Sequence, residues 1–266
     1  MKISHESITP EVSAQNTFVA RDDSRVLLGI CTVSPRDMGA MFPDAPKQFV
    51  IHARGDERSL HVLYGAAVAH ARVLAARHPG RSRIYAEVNV GDEASLSVLG
   101  ALGFSNNDGV MRMYRRVNGN RNLARLPEGC TIVRDFLADP TERKFFLERY
   151  NACYGLSNDD NWLSELAEQQ DFARILMVSP NDLAGELLVW NEDGVGIIGI
   201  IQTARKWRRK GVATYLLEDA RLYFHSLGLT FSQFDVWIKS PGALPLAKTA
   251  GYSGGDPIYL YPELYL

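Results

Sequence analysis

Gly196-Ile197-Ile198-Gly199-Ile200-Ile201-Gln202-Thr203-Ala204-Arg205-Lys206-Trp207-Arg208-Arg209-Lys210-Gly211-Val212-Ala213-Thr214 joins three physical patterns without a break. An apolar, isoleucine-rich run reads as a strand, and a cationic turn follows it. From Val212 to Leu227 a helix is expected, because Ala213, Leu216, Leu217, Ala220, Phe224 and Leu227 share one helical face, and Gly228 ends it. The first turn of such a helix presents free backbone N–H groups and a partial positive charge, which suits an anion. Gly211 lets the backbone approach a phosphate, Ala213 keeps the first turn small, and Arg208, Arg209 and Lys210 add full charges beside it.

Working outward, Arg174–Val178, Ala184–Trp190 and Val195–Gln202 read as strands, the last two joined by Asn191-Glu192-Asp193-Gly194, whose Asp-Gly is a hairpin signal. Before them come a strand at Thr131–Asp135, a helix starting near Asp139-Pro140 and a second helix over Asn161–Gln170. After Gly228 come a strand at Phe231–Ile238, a short helix at Gly242–Ala250 and a last strand from Ile258 to Tyr261. An antiparallel meander followed by a strand-helix-strand unit is implied.

This arrangement resembles the Gcn5-related N-acetyltransferase (GNAT) family, whose fingerprint is Arg or Gln, two residues, Gly, one residue, then Gly or Ala. Arg208, Gly211 and Ala213 fill those places, and Trp207 stands where an aromatic commonly precedes the Arg. Downstream, the family often has Asn, Ala three residues later, Leu-Tyr, and then Gly-Phe. Ala243, Leu246, Gly251 and Tyr252 fit that register, Ser240 replaces the Asn, and Ala247 replaces the Tyr that in many relatives protonates the departing thiolate.

The resemblance implies an α/β (α+β) fold, a mixed and mostly antiparallel twisted sheet flanked by helices. Acyl-coenzyme A would lie in a wedge between the fourth and fifth strands. Val195–Thr203 is the fourth strand, so Ile201 and Thr203 would offer backbone to the pantetheine. Arg208, Arg209, Lys210, Gly211, Val212, Ala213 and Thr214 would hold the pyrophosphate, and Ser240, in the place of the family's Asn, would also contact the coenzyme.

The first half carries a weaker echo. Thr17–Ala20 and Val26–Ile30 read as a hairpin and Phe49–Ile51 as a short strand. Leu60–Arg77 reads as a helix with a stripe of Val62, Ala66, Ala69, Val73 and Ala76. A strand at Ile84–Val90, a helix at Glu93–Leu102 and a strand at Val110–Tyr114 follow. Glu93 to Phe104 resembles the helix and Gly-Phe ending of the family, but Arg58-Ser59-Leu60-His61-Val62-Leu63 puts bulky residues and no glycine at the phosphate positions. We expect a degenerate, truncated copy over 1–117 lacking the opening strand and two helices, a linker over 118–129, and the acetyltransferase domain over 130–266.

Composition sets outer bounds. Of 266 residues, 46% are hydrophobic and 23% charged, the balance of a globular protein. The formal charge of -2 provides no basic field for sequence-independent nucleic-acid binding. Cys31, Cys130 and Cys153 fit neither a disulfide framework nor a zinc site, and His61, His70 and His225 lack ligand-like spacing, so no metal is expected. The absence of a signal-like or membrane-spanning apolar stretch points to a cytoplasmic protein with no membrane partner, and a monomer or homodimer is expected.

The reaction implied by the resemblance is transfer of an acetyl or other acyl group from acetyl-CoA to a primary amine of a small molecule or peptide. The fourth strand holds no carboxylate, which leaves Glu186 on the preceding strand and Asp235 on the fifth as proton acceptors, with a water chain or the Leu266 carboxylate as alternatives. Trp190 and Trp237 read as strand-forming residues that either pack or line an acceptor pocket. Ala247 and the missing strand carboxylate keep a second reading open, a coenzyme A-binding or sensing module without turnover.

Overall fold

The computed structural model describes residues 1–6, 13–119 and 125–266; of the linker expected at 118–129, residues 120–124 lie outside the described residues. In chain order the elements are β1 (Lys2–His5), β2 (Thr17–Arg21), β3 (Leu27–Asp37), β4 (Lys47–Gly55), α1 (Glu57–Ala75), β5 (Ser82–Ala86), β6 (Val88–Asn89), α2 (Glu93–Ala101) and β7 (Gly109–Arg116). There follow β8 (Thr131–Asp135), α3 (Pro140–Tyr154), α4 (Asp160–Ala167), β9 (Ala173–Ser179), β10 (Asp182–Glu192) and β11 (Val195–Thr203). The chain finishes with α5 (Val212–Ser226), β12 (Phe231–Trp237), α6 (Ala243–Thr249), β13 (Ser253–Leu260) and β14 (Glu263–Tyr265).

Two compact units form, and neither is a single stretch of chain. One comprises residues 1–110, 152–156 and 257–266, the other 111–151 and 157–256. The last strand thus belongs to the first unit and most of β7 to the second.

The first unit's sheet runs β1-β2-β3-β4-β5-β14, antiparallel except where β4 and β5 pair in parallel. Its opening strand is present after all: Lys2–His5 pairs with Phe18–Arg21, a strand too short and polar to stand out by alternation. Helix α1 has the expected period but buries the other face. Leu60, Leu63, Tyr64, Ala67, Val68 and Ala71 enter the core, whereas Val62 and Val73 are exposed. The Leu/Tyr stripe removes more apolar area than the Val/Ala stripe, and that difference selects the face. Arg83 is buried with the Asp108 and Glu263 carboxylates, so β14 contributes a charge partner as well as a strand.

In the second unit the strands lie in the order β13-β7-β12-β11-β10-β9-β8, with β11 and β12 parallel. Helices α5 and α6 cover one face, where Leu216, Leu217, Ala220 and Phe224 meet Ile175, Leu187, Val189 and Ile198. Helices α3 and α4 cover the other through Phe146 and Leu163 against Leu188, with Tyr150, Trp162, Trp190 and Ile200 at the margin of that cluster. Val189 and Leu188 point to opposite clusters as strand alternation demands, so Glu186, Leu188 and Trp190 share the face toward α3 and α4.

Candidate functional site: a splayed strand pair leading to an open helix N-terminus

Strands β11 and β12 pair only from Val195↔Phe231 to Ile198↔Phe234, although β11 continues to Thr203 and β12 to Trp237. Beyond Ile198 the β11 backbone has no ladder partner on that side among the described residues. The divergence starts at a bulge. On the β10 side Val189 pairs with Ile198 and Leu188 with Ile200, which leaves Gly199 unmatched. The Trp190 ring lies over this glycine so closely that a Cβ there would sit 2.0 Å from Cζ3. Only glycine admits that contact. Ile201 packs its side chain toward α5, and the Thr203 carbonyl accepts a long hydrogen bond from Arg208 Nε at 3.5 Å. Both expected pantetheine contacts therefore lie on the unpaired stretch.

The strand runs into the cationic turn. Arg209 (φ 64) and Gly211 (φ 83) are both left-handed, and Gly211 caps α5 with no side-chain hydrogen bond. The alternation curls successive N–H groups toward one side, a conformation that binds anions. The first backbone bond of the helix is Tyr215 N–H to Gly211 O, at 2.9 Å, so Val212, Ala213 and Thr214 have N–H groups without intrahelical acceptors. No atom lies within 4 Å of where a Gly211 Cβ would point. Arg208, Arg209 and Lys210 have no carboxylate partner among the described residues, and the Lys210 ammonium rests 4.9 Å from the Trp207 ring centroid. Open space, free donors and unneutralised cations together fit a pyrophosphate. Ser240 lies in the turn between β12 and α6 and donates its N–H to Trp237 O at 3.0 Å.

The corresponding helix of the first unit is closed. The Asp56 side chain caps α1 by accepting from Ser59 N–H at 2.7 Å, and Ser59 Oγ donates to Leu28 O at 3.1 Å. A carboxylate where a phosphate would lie repels it, and Ser59 is fully buried.

The two carboxylates expected to accept protons differ in setting. Glu186 is 1% exposed, and its two oxygens receive Arg149 Nε and Nη2 at 2.8 and 2.9 Å, with Arg174 Nη1 3.6 Å away. Burial opposes the charge of Arg174, but Asp135, Glu142 and Glu186 outweigh it and hold its pKa above the ordinary value. Asp235 comes directly after Phe234, the last β12 residue paired with β11. It is half-buried and accepts from Arg112 Nε and Nη2 at 3.0 and 2.9 Å and from Gln233 at 3.3 Å. The hydrogen bond to Asp235 raises the Arg112 pKa. Ala247 is fully buried in α6 and supplies no hydroxyl. Leu266 pairs its backbone with Ser82 in the first unit.

Two residues of this face carried no expectation. Arg149 follows Glu142 and Phe146 at helical spacing on α3, a stripe legible in principle. Arg112 sits on β7, and nothing local to it announces Asp235 as its partner.

The chain resembles a GCN5-related N-acetyltransferase from Sphaerobacter thermophilus over 96% of its own length and 82% of that chain, at 16% identity and a TM-score of 0.54. The fold is that of the GNAT N-acetyltransferases. A probable N-acyltransferase from Enterococcus faecalis matches 92% of this chain and 61% of its own, with 14% identity and a TM-score of 0.56. A GCN5-related N-acetyltransferase from Anabaena variabilis matches 94% and 63%, with 8% identity and a TM-score of 0.53. No protein-family model matches the chain, and no curated protein matches it in sequence. Among the described residues no group of three or more His, Cys, Asp and Glu could hold a metal ion, and no helix is long and apolar enough to cross a membrane.

Proposed function

We propose that the second unit transfers an acetyl group from acetyl-CoA to a primary amine, in the cytoplasm, whose reducing conditions suit the free thiols of Cys31 and Cys130. The observation that carries this reading is the unpaired edge of β11 running directly into the open, cation-flanked N-terminus of α5. The α5 N-terminus and Arg208, Arg209 and Lys210 hold the pyrophosphate, and the free β11 edge pairs with the pantetheine. The thioester then lies near the Gly199 bulge, where strand divergence gives the amine a path to the carbonyl carbon. The amine nitrogen forms the new C–N bond as the C–S bond breaks, coenzyme A leaves as thiolate, and the nitrogen sheds a proton.

We assign that proton to Asp235 directly or through water, because an arginine holds both oxygens of each carboxylate but Asp235 is 32% exposed at the divergence and Glu186 only 1%. Calorimetry with acetyl-CoA, followed by thiol release over a panel of amines with wild type and Asp235→Asn, tests this. Binding with turnover that Asp235→Asn lowers about 100-fold is expected; no acetyl-CoA binding refutes the reading. The buried Ala247 supports the second reading, a coenzyme A-binding module, and tight binding without thiol release on any amine would establish it.

A further inference from the structure

We infer that Arg149 is an anchor for a carboxylate on the acceptor, so that the amine acetylated is one that also carries an acid group. This rests on the acyl-transfer reading above.

Around Glu186 the donors outnumber the acceptors. Arg149 commits Nε and Nη2 to Glu186, yet its Nη1 has no partner among the described residues, and the side chain is 36% exposed. Gln202 Nε2 is a buried donor without a hydrogen-bond acceptor, and Arg174 Nη1 has only the 3.6 Å ion pair with Glu186. Gln202 is the cross-strand partner of Glu186 on β11, which places its amide beside the same carboxylate. Buried donors left unpaired are costly and mark places where a water or ligand oxygen belongs. A group that only accepts, and is negative, meets that need, and a planar guanidinium already fixed along one edge offers the other edge to a carboxylate without further loss of side-chain freedom.

The surroundings give the rest of the acceptor its place. Glu186 shares its sheet face with Trp190, whose ring covers the Gly199 bulge. Tyr150, the residue after Arg149, stacks on Trp162 with ring centroids 4.9 Å apart. Charge and aromatic wall therefore stand on the α3/α4 face of the strand pair that diverges. Glu186 acts here as a positioning residue, since its two oxygens set the plane of the guanidinium.

The test compares acceptors that differ only in the acid group: L-phenylalanine, γ-aminobutyrate and glycylglycine, each against its carboxamide. For wild type, at least one acid is expected to show a KM about tenfold below that of its amide, with the same order in equilibrium binding in the presence of coenzyme A. Because removing Arg149 alone strands a buried charge, the variants are Arg149→Lys and the double Arg149→Gln/Glu186→Gln. The double variant should raise KM for the acid while leaving kcat and KM for the amide within about twofold, and Arg149→Lys should recover part of the preference. Equal binding and equal KM for every acid–amide pair, or a loss in the variant shared by acids and amides, overturns the inference. Failure of acetyl-CoA to bind would instead refute acyl transfer, and the acid–amide binding comparison would still decide the role of Arg149.

Discussion

Gly211→Ala separates the two demands placed on the cradle. The residue sits at φ 83 and ψ 0 with no atom within 4 Å of an added Cβ, so the substitution creates strain but no clash in the free protein. Holding an L-residue in the left-handed region costs about 1–2 kcal/mol. The methyl group projects into the space over the helix N-terminus, and losing one charge-assisted hydrogen bond to a phosphate there costs about 1.5–3 kcal/mol. The affinity for coenzyme A should then fall about 10- to 100-fold. Gly228→Ala is the control, because Gly228 ends the same helix at φ 78 with equally open space. Both variants should lose about 1–2 kcal/mol in urea unfolding, and only Gly211→Ala should weaken binding by calorimetry. If Gly211→Ala binds coenzyme A within about threefold of wild type, the pyrophosphate does not rest on this turn.

Two further outcomes follow from buried groups in the first unit. Burial pushes the Cys31 thiol and the Tyr85 phenol up to about 12 from 9.0 and 10.0. A raised pKa in the folded state means that this contribution is complete below pH 9 and disappears as the pH climbs toward 12. Urea midpoints at pH 8 and pH 11 should therefore differ less for Cys31→Ala than for wild type, and equal pH dependence would refute the assignment. Replacing Arg83 by Met leaves the Asp108 and Glu263 carboxylates buried without their cation and should destabilise the first unit by about 3–5 kcal/mol in urea unfolding; a loss under about 1 kcal/mol would mean that the carboxylates are satisfied without it.

What the sequence discloses is what the chain encodes within a few turns of itself. Helix α5 and its approach are six neighbouring residues and a single apolar stripe, and they lie where the pattern puts them. The hairpin register can be counted outward from Asp193-Gly194: Glu192↔Val195, Asn191↔Gly196, Trp190↔Ile197 and Val189↔Ile198 are the regular pairs. The count fails at the next step, because the bulge at Gly199 depends on the Trp190 ring needing room. The burial face of α1 was not legible either, since two apolar stripes of the same period compete and the sheet beneath them decides. Unit membership is less legible still: Arg83 and Glu263 are far apart in the chain, and only their burial together gives the last strand a reason to join β5.

The same distinction explains why the proposed donor side has a local sequence signal and the proposed acceptor side has none. A phosphate cradle is made of backbone, and a backbone conformation is announced by glycine and small residues at fixed offsets. The acceptor pocket proposed above would be made of side chains from separate elements: Arg149 on α3, Glu186 and Trp190 on β10, Gln202 on β11 and Asp235 on β12. Each has an ordinary local reading as a helix-surface cation or a strand polar residue. Its chemistry appears only once the partner is known. Glu186 shows this most sharply, because as an isolated strand carboxylate it invites the role of base, while the guanidinium that takes both its oxygens turns it into the fixture holding Arg149. The two helix N-termini make the complementary point. One side chain, Asp56, is enough to make the start of α1 electrostatically self-contained, and its absence before α5 leaves the first N–H groups of that helix without a side-chain acceptor.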